Sequence, residues 1–435
     1  MTGPGRDAGA RRDLPRAQVS GERFWANLNE LGQIGRGERG ISRLAFAPTD
    51  MEGRRWLLRK MEHTGLEAWM DQVGNVFGRL EPGIPRHEPL PGWKGQPAIL
   101  MGSHIDTVPE GGMFDGALGV LAGLECLQTV RDAGLALEHP LELAAFANEE
   151  GSRIVPGTFG SRAFSLGIPE SEWNRVSLVL KEAGLGGPAA REAPAPSFRP
   201  EEHLCYLELH IEQGGVLDQA GEDIGVVQGI VCISPFNVTF MGEANHAGTT
   251  PMGQRKDALL GAAELVLAVP ECVKRLGSAD TAGTCGQIRV RPGGRNVIPG
   301  EAEISVEVRD LDQAIASRVV AAIKDEAQAV ASRRGLGVEI SRTSLNPGAA
   351  MDARIQDVIE ACARDLGLAT RRMPSGAGHD AMNLAKHVPT GMIFVPSRGG
   401  ISHSPKECTS KGQCVAGASV LLRTVLALDA GAYAR

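Results

Sequence analysis

The stretch AILMGSHIDTVPEGGMFDGALGVLAGLECLQTVRDAG, residues 98–134, followed by LELAAFANEEGS, residues 141–152, decides the fold class. AILMG is an apolar run of strand length, and it breaks into the polar GSHIDTV. GALGVLAGLECLQTVRDAG reads as a helix with Gly134 as its C-terminal cap. LELAAFANEEGS is a second apolar strand, and it ends on two carboxylates. Strand, helix and strand in this order predict a βαβ unit of an α/β protein, in which ligands gather beyond the carboxyl ends of the strands. Both polar clusters stand at such ends.

The same texture returns in YLELHIEQG (206–214) and GMIFVPSRGGISHSP (391–405), with ARIQDVIEACARDLG (353–367) as a helix between them. Upstream, FWANLNELGQI (24–34) and TDMEGRRWLLRKMEHTG (49–65) are helical in pattern, the latter with Thr49 or Asp50 as N-cap. EAWMDQVGNVFGRL (67–80) predicts two strands about a turn at Gly74-Asn75. Residues 1–20 are expected to be a disordered tail, and 82–96 and 184–200 to be loops rich in Pro and Gly.

From about Gly229 the pattern changes to the alternating strands ISPFNVTFMGEA (233–244), TCGQIRVRPG (284–293) and EAEISVEVRD (301–310). The helical segments 255–277 and 311–335 are interleaved with them, and GVEISRT (337–343) closes the series. This β-α-β-β-α-β order suits a small α+β domain with its helices on one face. The expected organisation is an α/β domain over 21–228 and 344–435, interrupted by a smaller domain at 229–343.

Composition narrows the class. In 435 residues, 45 Lys and Arg against 52 Asp and Glu leave a formal charge of −7, without a basic block of useful length after the first dozen residues. That argues against a nucleic-acid partner. No apolar run reaches membrane-spanning length and the N-terminus lacks a signal-like apolar centre, so a cytoplasmic address without a membrane partner is expected. Eight cysteines are scattered and never form CxxC, which fits neither a disulfide framework nor a thiolate metal site. Any metal must therefore be held by histidines and carboxylates.

Those donors stand at strand ends. His104 and Asp106 lie two residues apart in GSHIDTV, and a carboxylate beside an imidazole can fix its tautomer. Asp115, in the glycine-rich turn GGMFDGALG, suits a helix cap or a ligand that bridges two metals. The adjacent Glu149 and Glu150 repel one another, and partial burial calls for a compensating cation. One can bind metal while the other holds or deprotonates a water. His210 in LELHIEQGG and His403 in GGISHSP complete the set. Three histidines and two metal-binding carboxylates, with Asp115 shared, give two zinc ions three protein ligands each and leave a spare carboxylate as base.

The motifs GSHIDTVPEGGMFDGALGVLAGLE (102–125), FANEEGSR (146–153), YLELHIEQGGVL (206–217), GEANHAGTTPM (242–252), RNVIPGEAEISVEVRD (295–310), SGAGHDAMNLA (375–385) and SRGGISHSP (397–405) resemble the hydantoinase/carbamoylase branch of the M20 metallopeptidase-like amidohydrolases. The resemblance spans about residues 25–430 with the motifs in the same order. It implies an α/β catalytic domain with an inserted lid domain that also dimerises, giving a homodimer. It further implies one metal on His104, Asp115 and His210 and a second on Asp115, Glu150 and His403. The ions would be Zn2+, with Mn2+, Co2+ or Ni2+ as alternatives. Glu149 matches the general base and Asp106 the partner that orients His104. His246 matches an oxyanion-stabilising histidine supplied by the neighbouring subunit, and Asn296 and Arg309 match groups that hold a substrate carboxylate. Gln213 and His379 are further candidates for substrate contact.

The implied reaction is hydrolysis of an N-carbamoyl amino acid to amino acid, ammonia and CO2. Allantoate and N-carbamoyl-β-alanine are the alternative substrates, and the second threonine of GTTPM favours carbamoyl substrates over allantoate. A binding protein that keeps the fold without the chemistry is opposed by the complete donor set. A peptidase is opposed by His210, where peptidases of the family carry a carboxylate.

Overall fold

This structure, a computed structural model, describes residues 17–82, 95–185, 193–342 and 346–432. The chain divides into two compact units, one taking in 229–350 with 374–378 and the other the remaining described residues.

In the larger unit the strands Ala98–His104 and Leu141–Phe146 are buried along their whole length. Unbroken apolar runs, rather than alternating ones, give strands covered on both faces. These two strands pair in parallel. Ala98–His104 also pairs in parallel with His203–Ile211, which pairs in parallel with Thr390–Val395. Antiparallel strands flank this block: Val76–Leu80 lies on Leu141–Phe146, with Glu67–Met70 outside it, and residues of Ile224–Ile230 lie on Thr390–Val395. Four adjacent parallel strands therefore release their carboxyl ends at one edge.

The helix Ala117–Asp132 packs directly on this sheet. Gly119 permits that approach, because a Cβ there would stand 2.1 Å from the Leu209 carbonyl oxygen. Gly134, at φ 59°, follows the capping Ala133, so the expected glycine stop lies one residue past the cap. The helix Lys411–Asp429, not foreseen from the sequence, carries a Ser410/Gln413 capping box and packs against Ala117–Asp132 and Ala353–Asp365. It is long and apolar enough to cross a membrane, yet most of it is buried inside the protein. The helices Phe159–Ser165 and Glu170–Glu182 were likewise not foreseen.

Three local expectations are corrected. The second helix begins at Pro48 after Ala47, which makes no side-chain cap. Proline needs no N–H partner at that position, and Asp50 instead lies buried in the first turn, bonded to the Phe46 N–H and to Arg54. Of the expected tail, 1–16 lie outside the described residues, but 17–20 are ordered. Ala17 and Val19 pack on the core, and the Ser20 N–H donates to Glu125 at 2.7 Å. Finally, the smaller unit extends to residue 350 and takes in 374–378, beyond the expected boundary at 343. Of the loops expected at 82–96 and 184–200, residues 83–94 and 186–192 lie outside the described residues.

The smaller unit is a four-stranded antiparallel sheet in the order Ala282–Arg291, Glu301–Asp310, Cys232–Met241, Gly337–Arg342. Glu301–Asp310 alternates strictly between buried and half-exposed residues. Period-two burial of this kind leaves one sheet face for a cover and one uncovered. The cover is the helices Ala258–Leu276 and Gln313–Arg334, each capped by an aspartate, Asp257 and Asp312.

Candidate metal centre

The strand Ala98–His104 ends on His104, whose Nδ1 lies 3.0 Å from the main-chain carbonyl of Asp106. His210, near the end of the next strand, sets its Nδ1 2.9 Å from the Ile211 carbonyl. A carbonyl only accepts, so each ring carries a proton on Nδ1 and turns Nε2 towards the site as its metal-binding atom, that of His210 also accepting the Gly116 N–H at 3.1 Å. Both Nε2 atoms face Oδ1 of Asp115, at 3.5 Å from His104 and 3.3 Å from His210. The other oxygen, Oδ2, faces Nε2 of His403 at 3.5 Å, and that nitrogen lies 3.3 Å from Glu150. Asp115 thus turns one oxygen to each of two donor sets, His104 with His210 and Glu150 with His403.

Asp115 is held in that pose by a tight turn. Gly116 adopts φ 65°, and a Cβ there would stand 2.4 Å from the His104 ring. Asn148, Gln213 and His403 also have positive φ, at 53°, 60° and 52°. For residues with side chains this left-handed backbone is strained, and such strain clusters at functional sites.

Glu149 sets Oε2 3.6 Å from Nε2 of His104, outside both donor sets. Burial drives its carboxyl well above the usual range, with Asp380, Glu150 and Asp106 adding to the rise and His104 opposing it. Glu150 is pushed up to about 8 by burial and then by Asp115. For His104, burial lowers the imidazole, but Glu149, Asp115 and Asp106 outweigh it and raise it well above its ordinary value. Asp115 is held well below the carboxylate range because His210 and His104 outweigh its burial.

This crowding tests whether metal fits. Four carboxylates, Asp106, Asp115, Glu149 and Glu150, meet two buried histidines, and Oε1 of Glu150 is buried without a hydrogen-bond partner. An all-imidazole and carboxylate donor set of this kind suits divalent transition ions. The residues suit a dinuclear site. Glu208, His210 and His379 also bring donor atoms together. Glu208, however, already accepts from Ser103, Tyr206 and the Ala381 N–H.

Other expected residues fall as follows. Asp106 orients His104 by its main-chain carbonyl, while its carboxylate stays 3.8 Å from the ring and accepts the N–H groups of Glu149 and Glu150. The reason is the path of the chain just past the strand, which sets the Asp106 carbonyl nearer the ring than its carboxylate. Gln213 donates to Asp115 at 2.8 Å, against the donor sets. His379 is buried edge-on against His210 at 4.5 Å, and burial keeps it neutral, its pKa well below the ordinary value.

His246, Asn296 and Arg309 belong to the smaller unit. Nδ1 of His246 accepts from the Gly248 and Thr249 N–H groups, so its exposed Nε2 carries the proton and is a donor. The Asn296 segment pairs with that of His246 through the Ala247 N–H. Arg309 pairs with Glu307 at 2.7 Å and donates to the Gly376 carbonyl. Asp310 and Asp312, the other acids beside it in sequence, are occupied by Ser278 and Thr281 and by a helix cap.

Sequence reasoning missed Ser402, Glu407 and Arg54. Ser402 donates to Asp115 at 2.7 Å, and Glu407 accepts the N–H groups of Phe114 and Asp115. Arg54 lies 3.9 Å from Asp106. Ser402 adjoins His403 in sequence, a signal that was there to read. Glu407 and Arg54 sit in polar stretches that look like solvated surface.

The profile of the peptidase family M20/M25/M40 matches residues 100–427. The N-carbamoyl-L-amino acid amidohydrolase of Geobacillus stearothermophilus is 37% identical over 421 residues, 95% of this chain and 100% of that protein. The allantoate amidohydrolase of Escherichia coli is 34% identical over 380 residues, covering 85% and 89%. Among solved structures, a hydantoinase/carbamoylase family amidase from Burkholderia multivorans superposes with a TM-score of 0.84 at 33% identity, covering 95% and 98%. The chain belongs to the peptidase family M20/M25/M40, in its hydantoinase/carbamoylase branch.

Proposed function

We propose that this protein is a dinuclear metal-dependent amidohydrolase that adds water across the ureido group of an N-carbamoyl α-amino acid, releasing the amino acid, ammonia and CO2. The observation that carries the reading is Asp115, whose two oxygens face separate donor sets. His104, Asp115 and His210 would hold one ion, and Asp115, Glu150 and His403 the other, with Zn2+ first among the candidates. When bound, such ions polarise the scissile carbonyl and acidify water.

Glu149 is the carboxylate left over. Beside the donors and nearly dry, it takes the proton of the attacking water and returns it to the leaving nitrogen. Arg309 offers a planar fork to the substrate carboxylate, with Asn296 beside it in role, and the Nε2–H of His246 supports the developing oxyanion from a second copy in a homodimer. Gln213 and His379 serve as further substrate contacts in this reading. The Geobacillus relative named for carbamoyl substrates supports this class over allantoate, as does Thr250.

The deciding experiment measures ammonia release from N-carbamoyl α-amino acids, N-carbamoyl-β-alanine and allantoate side by side, together with metal content. Glu149→Gln is expected to lower kcat by about 10²–10⁴-fold with metal retained. Full activity in that variant removes Glu149 from the mechanism, and a protein that takes up no metal overturns the reading. Mixing His246→Ala with Glu149→Gln subunits should restore part of the activity, and verified heterodimers without restoration would refute sharing between copies.

A further inference from the structure

We propose that Glu407 is a positioning residue that fixes the shared carboxylate Asp115, joining the turn that carries it to the loop that carries His403. The inference rests on the dinuclear reading above. Glu407 is buried, at 7% exposure, and its two oxygens meet different groups. Oε1 accepts the N–H of Phe114 at 2.8 Å and that of Asp115 itself at 3.1 Å. Oε2 lies 3.2 Å from Oγ of Ser402, and that same Oγ lies 2.7 Å from Oδ2 of Asp115. A hydroxyl has one proton, and the shorter contact takes it, so Ser402 donates to Asp115. Main chain and side chain of Asp115 are thereby both tied to the segment 402–407.

The surroundings are built to admit Glu407. Gly112, in the GGMFD turn, lies so close that a Cβ there would stand 2.3 Å from its Oε1. This explains the second glycine of that turn, which has an ordinary negative φ and no conformational need of its own. A bridging carboxylate must aim both oxygens at once, so a small rotation of Asp115 spoils both donor sets. Groups that orient ligands in this way typically change metal affinity by about 10–100-fold when removed.

The test is titration of the chelator-stripped protein with Zn2+ by calorimetry, alongside its melting temperature without metal. Glu407→Ala removes the acceptor of both N–H groups and should weaken binding by about 10–100-fold, most for the equivalent that uses His403. Glu407→Gln keeps the amide oxygen on those N–H groups and can donate to the free lone pair of Ser402, so its affinity should stay within a few-fold of wild type. Ser402→Ala removes the side-chain tie alone and should weaken the His403 equivalent, which keeps the test open if Glu407→Ala does not fold. Wild-type affinity in Glu407→Ala, or in Ser402→Ala should the former not fold, overturns the assignment. Equal losses in Glu407→Gln and Glu407→Ala also overturn it, since charge rather than geometry would then be at work. A wild-type protein that binds no Zn2+ instead refutes the dinuclear reading, which separates the two failures.

Discussion

Asp106 accepts the main-chain N–H of Glu149 at 3.3 Å, and its second oxygen accepts that of Glu150 at the same distance. The side chain therefore fixes the turn bearing Glu149, the proposed base, and Glu150, a proposed metal donor, while the main-chain carbonyl of the same residue orients His104. Asp106→Ala should leave the His104, Asp115 and His210 donors in place and lower kcat by about 10–100-fold. Metal content measured beside kcat checks this. Loss of the metal equivalent held by His104 and His210, with that of Glu150 and His403 retained, would show that the carboxylate works through His104 after all.

Behind Asp106 lies Arg54, fully buried, with Nε 2.9 Å from Asp50, Nη1 2.8 Å from the Gly74 carbonyl and Nη2 3.9 Å from Asp106. Arg54→Met removes the only arginine in direct ion-pair contact with Asp50 and Asp106 among the described residues, leaving the buried Arg43 further off. Breaking a buried pair from one side costs about 3–5 kcal/mol, so denaturant unfolding should show a much lower midpoint. A variant as stable as the wild type would contradict the assigned charge balance.

Proton release should accompany metal uptake. Glu150, pushed up to about 8, holds its proton below that pH when no metal is bound, and His104, also raised, adds a second proton that metal must displace. A ligand must give up its proton, so affinity rises as pH climbs towards 8. Calorimetry in buffers of different ionisation enthalpy measures the released protons, and pH-independent affinity would refute the linkage. The same groups set the stability of the stripped protein. Their folded-state values are raised, so the folded chain binds more protons than the unfolded one, and stability is lost as pH climbs from 5 towards about 8. Melting curves with chelator at the two ends of that range should differ in that order.

Gly116→Ala forces a side chain onto φ 65°, at about 1–2 kcal/mol, and drives its methyl into the His104 ring. The expected outcome is loss of the metal equivalent held by His104 and His210. Metal analysis that finds both equivalents retained would show that the turn yields more readily than its geometry implies.

The centre was legible in the sequence because its donors follow apolar runs. A largely apolar run such as AILMG or LELAAF marks a strand covered on both faces; His104, Glu149, Glu150 and His210 stand at or just past the end of one, and His403 follows eight residues after Val395, beyond a short 3-10 turn. The alternating strands of the smaller unit were readable for the converse reason. What escaped was long-range polar contact. Glu407 lies in SPKECTS, where nothing local distinguishes a buried acid from a solvated one, and its partners stand 292 and 293 residues away. The role of Asp106 was half visible: proximity to His104 could be read, but which of its oxygens reached the ring depended on the backbone path just past the strand.

The delivery of donors by four separate parallel strands has a consequence for how the protein is made. His104 leaves the ribosome long before His403, and the whole of the smaller unit is synthesised between His210 and His403. Domains begin to fold as the chain emerges, so the centre reaches completion only when the late segment docks beside the early strands. On the proposed donor set, loading of both ions would therefore report that the two halves of the interrupted unit have found each other, and a nascent chain would not become active ahead of its own assembly.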